Sequence, residues 1–469
     1  MNSKRIIQMK QGSVQLNKKY VLYWMQQSQR VHFNHALEYA IKIANQNNLP
    51  VLVYFGLSAN YPEANQRHYQ FMLEGLVEVK KILKNFGISF VFKYASPEVG
   101  ILPLLNDAHT LVMDQGYLKH QKAWRNDVIE YADYNYKHLS IYIVDTDLIV
   151  PVHVASQKVE YGAYTIRPKL RKYVHEFRDF GYLSQINQNE EIVLDSDDDL
   201  KDLKETMKKL NISNDVQSSV FYRGGYINAS QLCSQFIENK ANFYLNSNDP
   251  GFDYTSKLSM YLHFGQISSL EIYERMTLAL EQHQIDGISY DAFVEQLIIR
   301  RELAFNYVYY QNGYDQFEHM TENWAYMTME SHDLDFKPYL YSMDQIEHSE
   351  THDQYFNAAM DEMRITGYMH NYMRMYWAKK IIEWSPSFKV SYETIKHLNN
   401  KYFIDGRDAN SYAGIAWCFG KHDRAWTERE IFGKLRYMNA NGLIRKFKMQ
   451  NYINRIDGYK KTFEEGNKA

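Results

Sequence analysis

The sequence predicts an α/β domain built on a parallel sheet, followed by an all-helical domain. Three observations predict it. Over the first third, short apolar runs alternate with segments whose apolar residues recur at helical spacing, as in strands joined by right-handed helical crossovers. Beyond about residue 215 the strand pattern disappears and only helical periodicity remains. Between the two, over about 150–215, periodicity fades into the acidic stretch LDSDDDLKDL at 194–203.

Taken in order, residues 1–19, MNSKRIIQMKQGSVQLNKK, are polar and lack the 7–15-residue apolar stretch of a signal peptide, so they read as an N-terminal extension. YVLYWM (20–25) reads as a strand, HFNHALEYAIKIANQNN (32–48) as a helix and PVLVYFG (50–56) as a second strand. A helix from about Gln66 to Phe86 follows, then the strand ISFVFKY (88–94) and a short helix. HTLVMD (109–114), a helix to about Ala132, and LSIYIVD (139–145) complete an α/β domain over 20–150. No GxGxxG opens a helix after these strands, so a dinucleotide fingerprint is absent and any small molecule here is held in another way. Residues 151–215 read as an interdomain linker with an acidic surface at Glu190, Glu191, Asp195, Asp197, Asp198 and Asp199, in which Ser196 is also placed to begin a helix as an N-cap. SLEIYERMTLALEQH (269–283), YDAFVEQLIIRRELAFNYVYY (290–310) and NAAMDEMRITGYMHNYMRMYWAKKIIEW (357–384) then give a helical domain over 216–469, large enough to enclose a cofactor.

Composition narrows the function classes. At 469 residues the chain holds two or three domains, and 45% hydrophobic with 23% charged residues excludes wholesale disorder. No run of about 18 apolar residues is present to span a membrane, and with no leader the expected location is the cytoplasm, or the nucleus in a eukaryote. Cys233 and Cys418 are the only cysteines, which excludes a disulfide framework and points to a reducing compartment. With 17 histidines they form no metal-ligand spacing, and there is no HExxH, CxxC, GxSxG or Walker loop. The plain explanation for the 40 Tyr is an AT-rich base composition, which does not explain where the seven Trp stand. The net charge of −3 hides a basic segment: Lys421 to Lys461 carries eleven Lys or Arg against four Asp or Glu. Such a surplus suits a local DNA-facing surface and equally a solvated helix face.

Four segments concentrate chemistry. In DYTSKLSMYLHFGQIS (253–268), the hydroxyls of Thr255, Ser256 and Ser259 precede an apolar helix, as in a phosphate site or an ordinary cap. In GYMHNYMRMYWAKKIIEW (367–384), Asn371, Arg374, Trp377 and Trp384 recur at helical spacings, and Trp377 and Trp384 share a face about 10 Å apart along the axis. That tryptophan stripe also suits a plain core, whereas a buried arginine one turn earlier requires an acidic partner. LNNKYFIDGRDANSYAGIAW (398–417) gathers Asn399, Asp405, Gly406, Arg407 and Asp408 before Trp417, and although DGRDAN has the composition of a plain loop, Asp405 is the candidate partner of Arg374. The basic segment interleaves Arg424, Arg429, Lys434 and Arg436 with Trp426, Phe432 and Tyr437, a mixture that holds a phosphate backbone while rings meet bases.

In these motifs the chain resembles the photolyase/cryptochrome family from about Tyr20 to Ile453, and within it the class II cyclobutane pyrimidine dimer photolyases. TSKLSMYLHFGQIS is similar to the family's flavin-phosphate segment, MHNYMRM to a motif shared across it, and RHYQFMLEGL (67–76), LNNKYFIDGRDANSYAGIAW and HDRAW with FGKLRYMN to class II. The resemblance implies an N-terminal Rossmann-like antenna domain and a helical domain holding a U-shaped FAD, active as FADH⁻, with a deazaflavin or folate as the optional antenna chromophore. It implies that Tyr244, Thr255, Ser256, Lys257, Leu258, Ser259, Asn371, Gly406 and Arg407 bind the cofactor. Arg374 and Asp405 would form a salt bridge beside the flavin ring, with Asn399 near its reactive nitrogen. Trp377 and Trp384 would carry electrons outward. Glu295, Gln296, Arg300, Met375 and Trp417 would meet the flipped dimer, and Arg424, Arg429, Lys434 and Arg436 the DNA. The implied partner is UV-damaged DNA, bound by a monomer; the alternative is a cryptochrome-like photoreceptor. The histidine pair of the (6-4) enzymes is not expected, because His370 is followed by Asn371. Two departures stand out. The family's dimer-contacting carboxylate aligns with Gln296, next to Glu295, and the tryptophan expected between Trp377 and Trp384 is Phe356.

Overall fold

Tyr20–Trp24 is buried at every position, and its side chains alternate between two cores. Val21 and Tyr23 pack with Leu37, Ile41 and Leu76, while Tyr20, Leu22 and Trp24 pack with Leu105, Val128 and Ala132. A strand apolar on both faces belongs inside a sheet covered by helices on either side, and that is its place. A computed structural model describes residues 1–13, 17–59, 61–178, 183–190, 192–198 and 200–466. The sheet comprises Ile6–Lys10 (β1), Tyr20–Trp24 (β2), Val51–Gly56 (β3), Ser89–Lys93 (β4), Ala108–Asp114 (β5) and Ser140–Val144 (β6), in the order β1-β6-β5-β2-β3-β4. The pairs β2–β3, β2–β5, β3–β4 and β5–β6 are parallel. Helices His35–Asn47 (α1), Gln66–Asn85 (α2) and Lys119–Asn135 (α3) cover the faces.

Two expectations are corrected. The N-terminal extension contains β1, which pairs antiparallel with β6, Ile6 opposite Val144. Edge pairing makes it a strand, not its weak apolar pattern, and the Arg5 guanidinium anchors it by donating to the carbonyls of Leu148 and Ile149 at 2.8 and 2.6 Å. The linker over 151–215 contains helix Ala163–Tyr173 (α4), whose Ile166 and Leu170 belong to the core of the helical domain. Ser196 does not begin a helix. Its hydroxyl accepts from Phe92 N at 3.1 Å and Asp197 N donates to Phe92 O at 2.9 Å, so the acidic stretch shields the free edge of β4. The next helix, Leu203–Lys209, starts on Asp202 as its cap, and Glu191 and Asp199 lie outside the described residues.

Beyond residue 225 the described chain is helical. Ser269–Glu281 (α5) and Gly287–Val294 (α6) lead into a π-helical turn, Glu295–Arg300, that continues as Arg301–Tyr310 (α7). Gln354–Thr366 (α8), Asn371–Trp384 (α9), Phe388–Tyr402 (α10), Ala409–Cys418 (α11) and Met449–Gly466 (α12) complete the frame. Both cysteines are buried and free. Among the described residues no helix is long and apolar enough to cross a membrane.

The RHYQ motif explains how the two parts hold together. From the first turn of α2, the Arg67 guanidinium donates to the carbonyls of Gln217, Met363, Tyr402 and Arg364 at 3.1, 3.2, 2.9 and 2.6 Å, filling the open C-terminal ends of α8 and α10. His68 Nε2 meets Phe403 O at 3.0 Å. Across the same junction Arg301 pairs with Asp147 at 2.6 Å, and Glu302 accepts from Ile149 N at 2.8 Å.

Candidate functional site

α9 is opened by His370, whose Nδ1 accepts from Tyr372 N at 3.3 Å while Nε2 donates to Ser247 O at 2.8 Å. Burial pushes this imidazole down to about 4, so it is neutral. From that start, successive turns project Asn371, Arg374, Met375, Trp377 and Ala378 into a cavity of about 560 Å³. The same cavity receives Tyr244, the segment Thr255–Ser259, Gln296 and Arg300 from the π turn, Asn399 from the end of α10, Asp405, and Trp417 from the last turn of α11. Residues far apart in sequence thus converge on one hollow.

One end is polar. Lys257 has a left-handed backbone, φ 55°, and its ammonium lies 2.9 Å from Asp253. Lys240 reaches the same carboxylate at 2.9 Å. Although burial works the other way, the two ammonium groups hold Asp253 down at about 2. Thr255 Oγ1 lies 3.0 Å from the Tyr368 hydroxyl. The short helix Ser259–His263 is opened by Leu258, whose side chain gives no cap bond, and the Ser256 hydroxyl just before it accepts from Leu258 N at 3.4 Å.

At the centre, Arg374 Nη2 donates to both oxygens of Asp405 at 2.9 and 3.1 Å, and its Nε donates to Met369 O at 3.1 Å. The guanidinium stacks 3.9 Å from the centre of the Phe403 ring. Asn399 Nδ2 donates to Asn400 Oδ1 at 3.0 Å, which sets the orientation of the amide. The turn between them needs Gly406, because a Cβ there would come within 2.8 Å of Asn399 O and 2.9 Å of Phe403 O. The Trp377 ring lies 6.3 Å from Phe403, and its buried Nε1 has no hydrogen-bond partner.

The outer end is aromatic and basic. Trp417, Met375 and Asn371 also line a second hollow of about 430 Å³ with Trp426, Arg429, Arg436, Tyr437 and Lys446. Arg436 lies between two indoles, 5.1 Å from Trp417 and 4.3 Å from Trp426, and is held by Asp423 at 2.9 Å. Arg424 stacks on Trp426 at 5.1 Å and Arg429 on Tyr437 at 5.3 Å, while Lys434 stands 4.0 Å from Glu428.

Not every expected residue reaches the cavity. Glu295 turns away and is forked by Arg167 at 2.9 and 2.7 Å, with Arg300 at 3.4 Å; its neighbour Gln296 faces the hollow. Arg407 does not line the main cavity. Its guanidinium bonds the Asn400 carbonyl and lines a smaller hollow of about 110 Å³ with Trp24, Phe55, Tyr61 and Trp124, at the carboxyl ends of β2 and β3. Trp384 is buried away from the cavity against Phe356, Tyr341 and His352, at ring separations of 5.1, 5.3 and 5.2 Å.

The matched family model for DNA photolyase covers residues 21–188. The chain is 42% identical, over 98% of its own length and 99% of the relative's, to a deoxyribodipyrimidine photo-lyase of Methanothermobacter thermautotrophicus. The chain belongs to the DNA photolyase family. Among solved structures, a class III photolyase from Agrobacterium tumefaciens superposes with TM-score 0.74 at 16% identity, covering 95% of this chain and 87% of that one. An archaeal photolyase from Sulfolobus tokodaii, solved with two FAD molecules, superposes with TM-score 0.66 at 15% identity over 93% and 89%. At such identities the likeness is one of fold.

Some residues of the site were not singled out from sequence. Tyr368 and Phe403 fall inside quoted motifs, yet nothing marks them until Thr255 and Arg374 are seen against them. Lys379, one residue before Lys380, gives no signal at all, because its burial depends on where α11 packs.

Proposed function

We propose that this chain repairs cyclobutane pyrimidine dimers in DNA by light, as a class II enzyme holding FAD. The observation that carries it is the order of groups along one cavity: hydroxyls and Lys257 at the inner end, the Arg374–Asp405 pair and Asn399 at the centre, Trp417 and a basic aromatic mouth at the outer end.

The residues fit a flavin dinucleotide. Lys257 and the uncapped segment around Ser256 and Ser259 offer donors for phosphates. Arg374, held by Asp405 and stacked on Phe403, places a fixed positive charge where an anionic ring system is to be favoured. When bound, FAD supplies the light-driven electron that splits the cyclobutane ring. The chain does the rest. Trp417 and Met375 give a flipped pyrimidine dimer an apolar wall. Gln296 donates and accepts hydrogen bonds without changing charge. Arg429, Arg436 and Lys446 attract phosphates at the mouth. The smaller aromatic hollow beside β2 and β3 would hold the antenna chromophore, deazaflavin or folate, if this chain carries one.

The test is to load the protein with FAD, reduce it, and illuminate a thymine-dimer oligonucleotide alongside a dark control. Recovery of thymine absorbance in light alone supports the reading. Flavin binding without repair overturns it, and so does failure to take up flavin.

A further inference from the structure

Lys379 lies on α9 between Trp377 and the last turn of α11, and it is wholly buried. A buried ammonium group is costly unless a negative partner meets it. Among the described residues, its ammonium pairs with no carboxylate within 4.0 Å, and its hydrogen bond is to the carbonyl of Cys418 at 2.5 Å. Cys418 is the final residue of α11, where the open carbonyls carry the partial negative charge of the helix end. Trp417 precedes it, with the Lys379 ammonium 5.9 Å from its ring on one side and the Arg436 guanidinium 5.1 Å away.

We propose that Lys379 is a positioning residue for the flipped pyrimidine dimer: its ammonium ties the last turn of α11 to α9 and so fixes Trp417 as the wall against which the dimer stacks. This rests on reading the cavity as a lesion pocket. Burial brings Lys379 down to about 8, opposed by Cys418 and Asp423 and assisted by Arg436. The Cys418 thiol is itself pushed up to about 11 by burial, and Asp423 is engaged by Arg436. Charge therefore leaves this junction at the lysine first as pH rises.

The measurement uses the FAD-loaded full chain in the dark. Its affinities for a thymine-dimer duplex and for the same duplex undamaged are taken from about pH 7 to about pH 9.5. The ratio of the two cancels effects of general DNA attraction. It is expected to fall about fivefold as pH rises through the titration of Lys379, with FAD retained, the order of effect that a charge at a helix C-terminus supplies. Lys379→Met is expected to show a low ratio that no longer changes with pH. A wild-type ratio that stays constant over the range overturns the proposal without any variant, and a Met variant with the wild-type ratio and step does the same. If the wild type shows no preference for the dimer even at pH 7, the repair reading itself fails, and the proposal with it.

Discussion

Replacing Asp405 by Asn tests the centre of the site. The carboxylate takes both bonds from Arg374 Nη2, at 2.9 and 3.1 Å, and the two side chains are only 17% and 9% exposed. A hydrogen bond to a charged group contributes about 1.5–3 kcal/mol, and removing one member of a largely buried pair leaves the other charge uncompensated, at about 3–5 kcal/mol. Arg374 keeps its Nε bond to Met369 O and its place on Phe403, which puts the expected loss at the lower end, about 3 kcal/mol. The double variant Arg374→Met, Asp405→Asn removes the stranded charge as well, and is expected to regain about 1–2 kcal/mol over Asp405→Asn alone. Urea unfolding of these three proteins and of Arg374→Met alone, followed by circular dichroism, reads both quantities, and flavin retention is scored on the same samples. Additive losses in the cycle, or a single variant within about 0.5 kcal/mol of wild type, would refute an electrostatically coupled pair.

Arg67→Met removes four carbonyl bonds, three at the ends of α8 and α10 and one to Gln217; a loss of about 3 kcal/mol or more is expected in the same unfolding assay. Asp253 is held at about 2 by Lys257 and Lys240, below its unfolded value of about 3.9, so its contribution is present above that value and lost as pH falls through about 2. The stability difference between wild type and Asp253→Asn is therefore constant above about pH 5 and shrinks below about pH 4, and a difference that instead grows toward acid contradicts the pairing. Phe356 is fully buried against Trp384, and a phenyl ring is a poor carrier of an electron hole. Phe356→Trp is expected to cost about 1–3 kcal/mol by overpacking and yet to speed light-driven reduction of bound oxidised FAD, which transient absorption checks; equal rates in the two proteins contradict the gap.

The parallel strands were legible because each is a short apolar run bounded by helices, and β2 is apolar on both faces. β1 was not, since two isoleucines followed by Gln8, Met9 and Lys10 become a strand only when β6 offers its edge. In the site, the types and order of residues were legible, but directions were not. Glu295 and Gln296 are adjacent, and only the π turn decides that one meets Arg167 while the other faces the hollow. Arg407 stands in the same motif as Asp405, yet the tight turn at Gly406 sends the two side chains to different cavities.

That turn also shows why a sheet domain with its own small hollow bears on the larger one. His68 and Arg67 start α2 in the sheet domain, and they hold the carbonyls of Phe403 and Tyr402. Asn399 lies within one helical turn of these carbonyls on one side and Asp405 two residues beyond on the other. Among the described residues, no side-chain cation of the helical domain bonds carbonyls at the ends of both α8 and α10, as Arg67 does. The angle at which Asp405 meets Arg374 is thus set in part from outside the domain that contains both residues, beside the bonds that Ser411 Oγ makes to Asp405 O and Ile404 N to Gly367 O, each at 2.9 Å. Loosening Arg67 should consequently be felt at the Arg374–Asp405 pair before it is felt in the sheet. In the Arg67→Met protein the coupling energy between Arg374 and Asp405 is expected to fall by about half. A coupling energy equal to that of the wild type would mean that α9 and α10 hold the turn without help from the sheet domain.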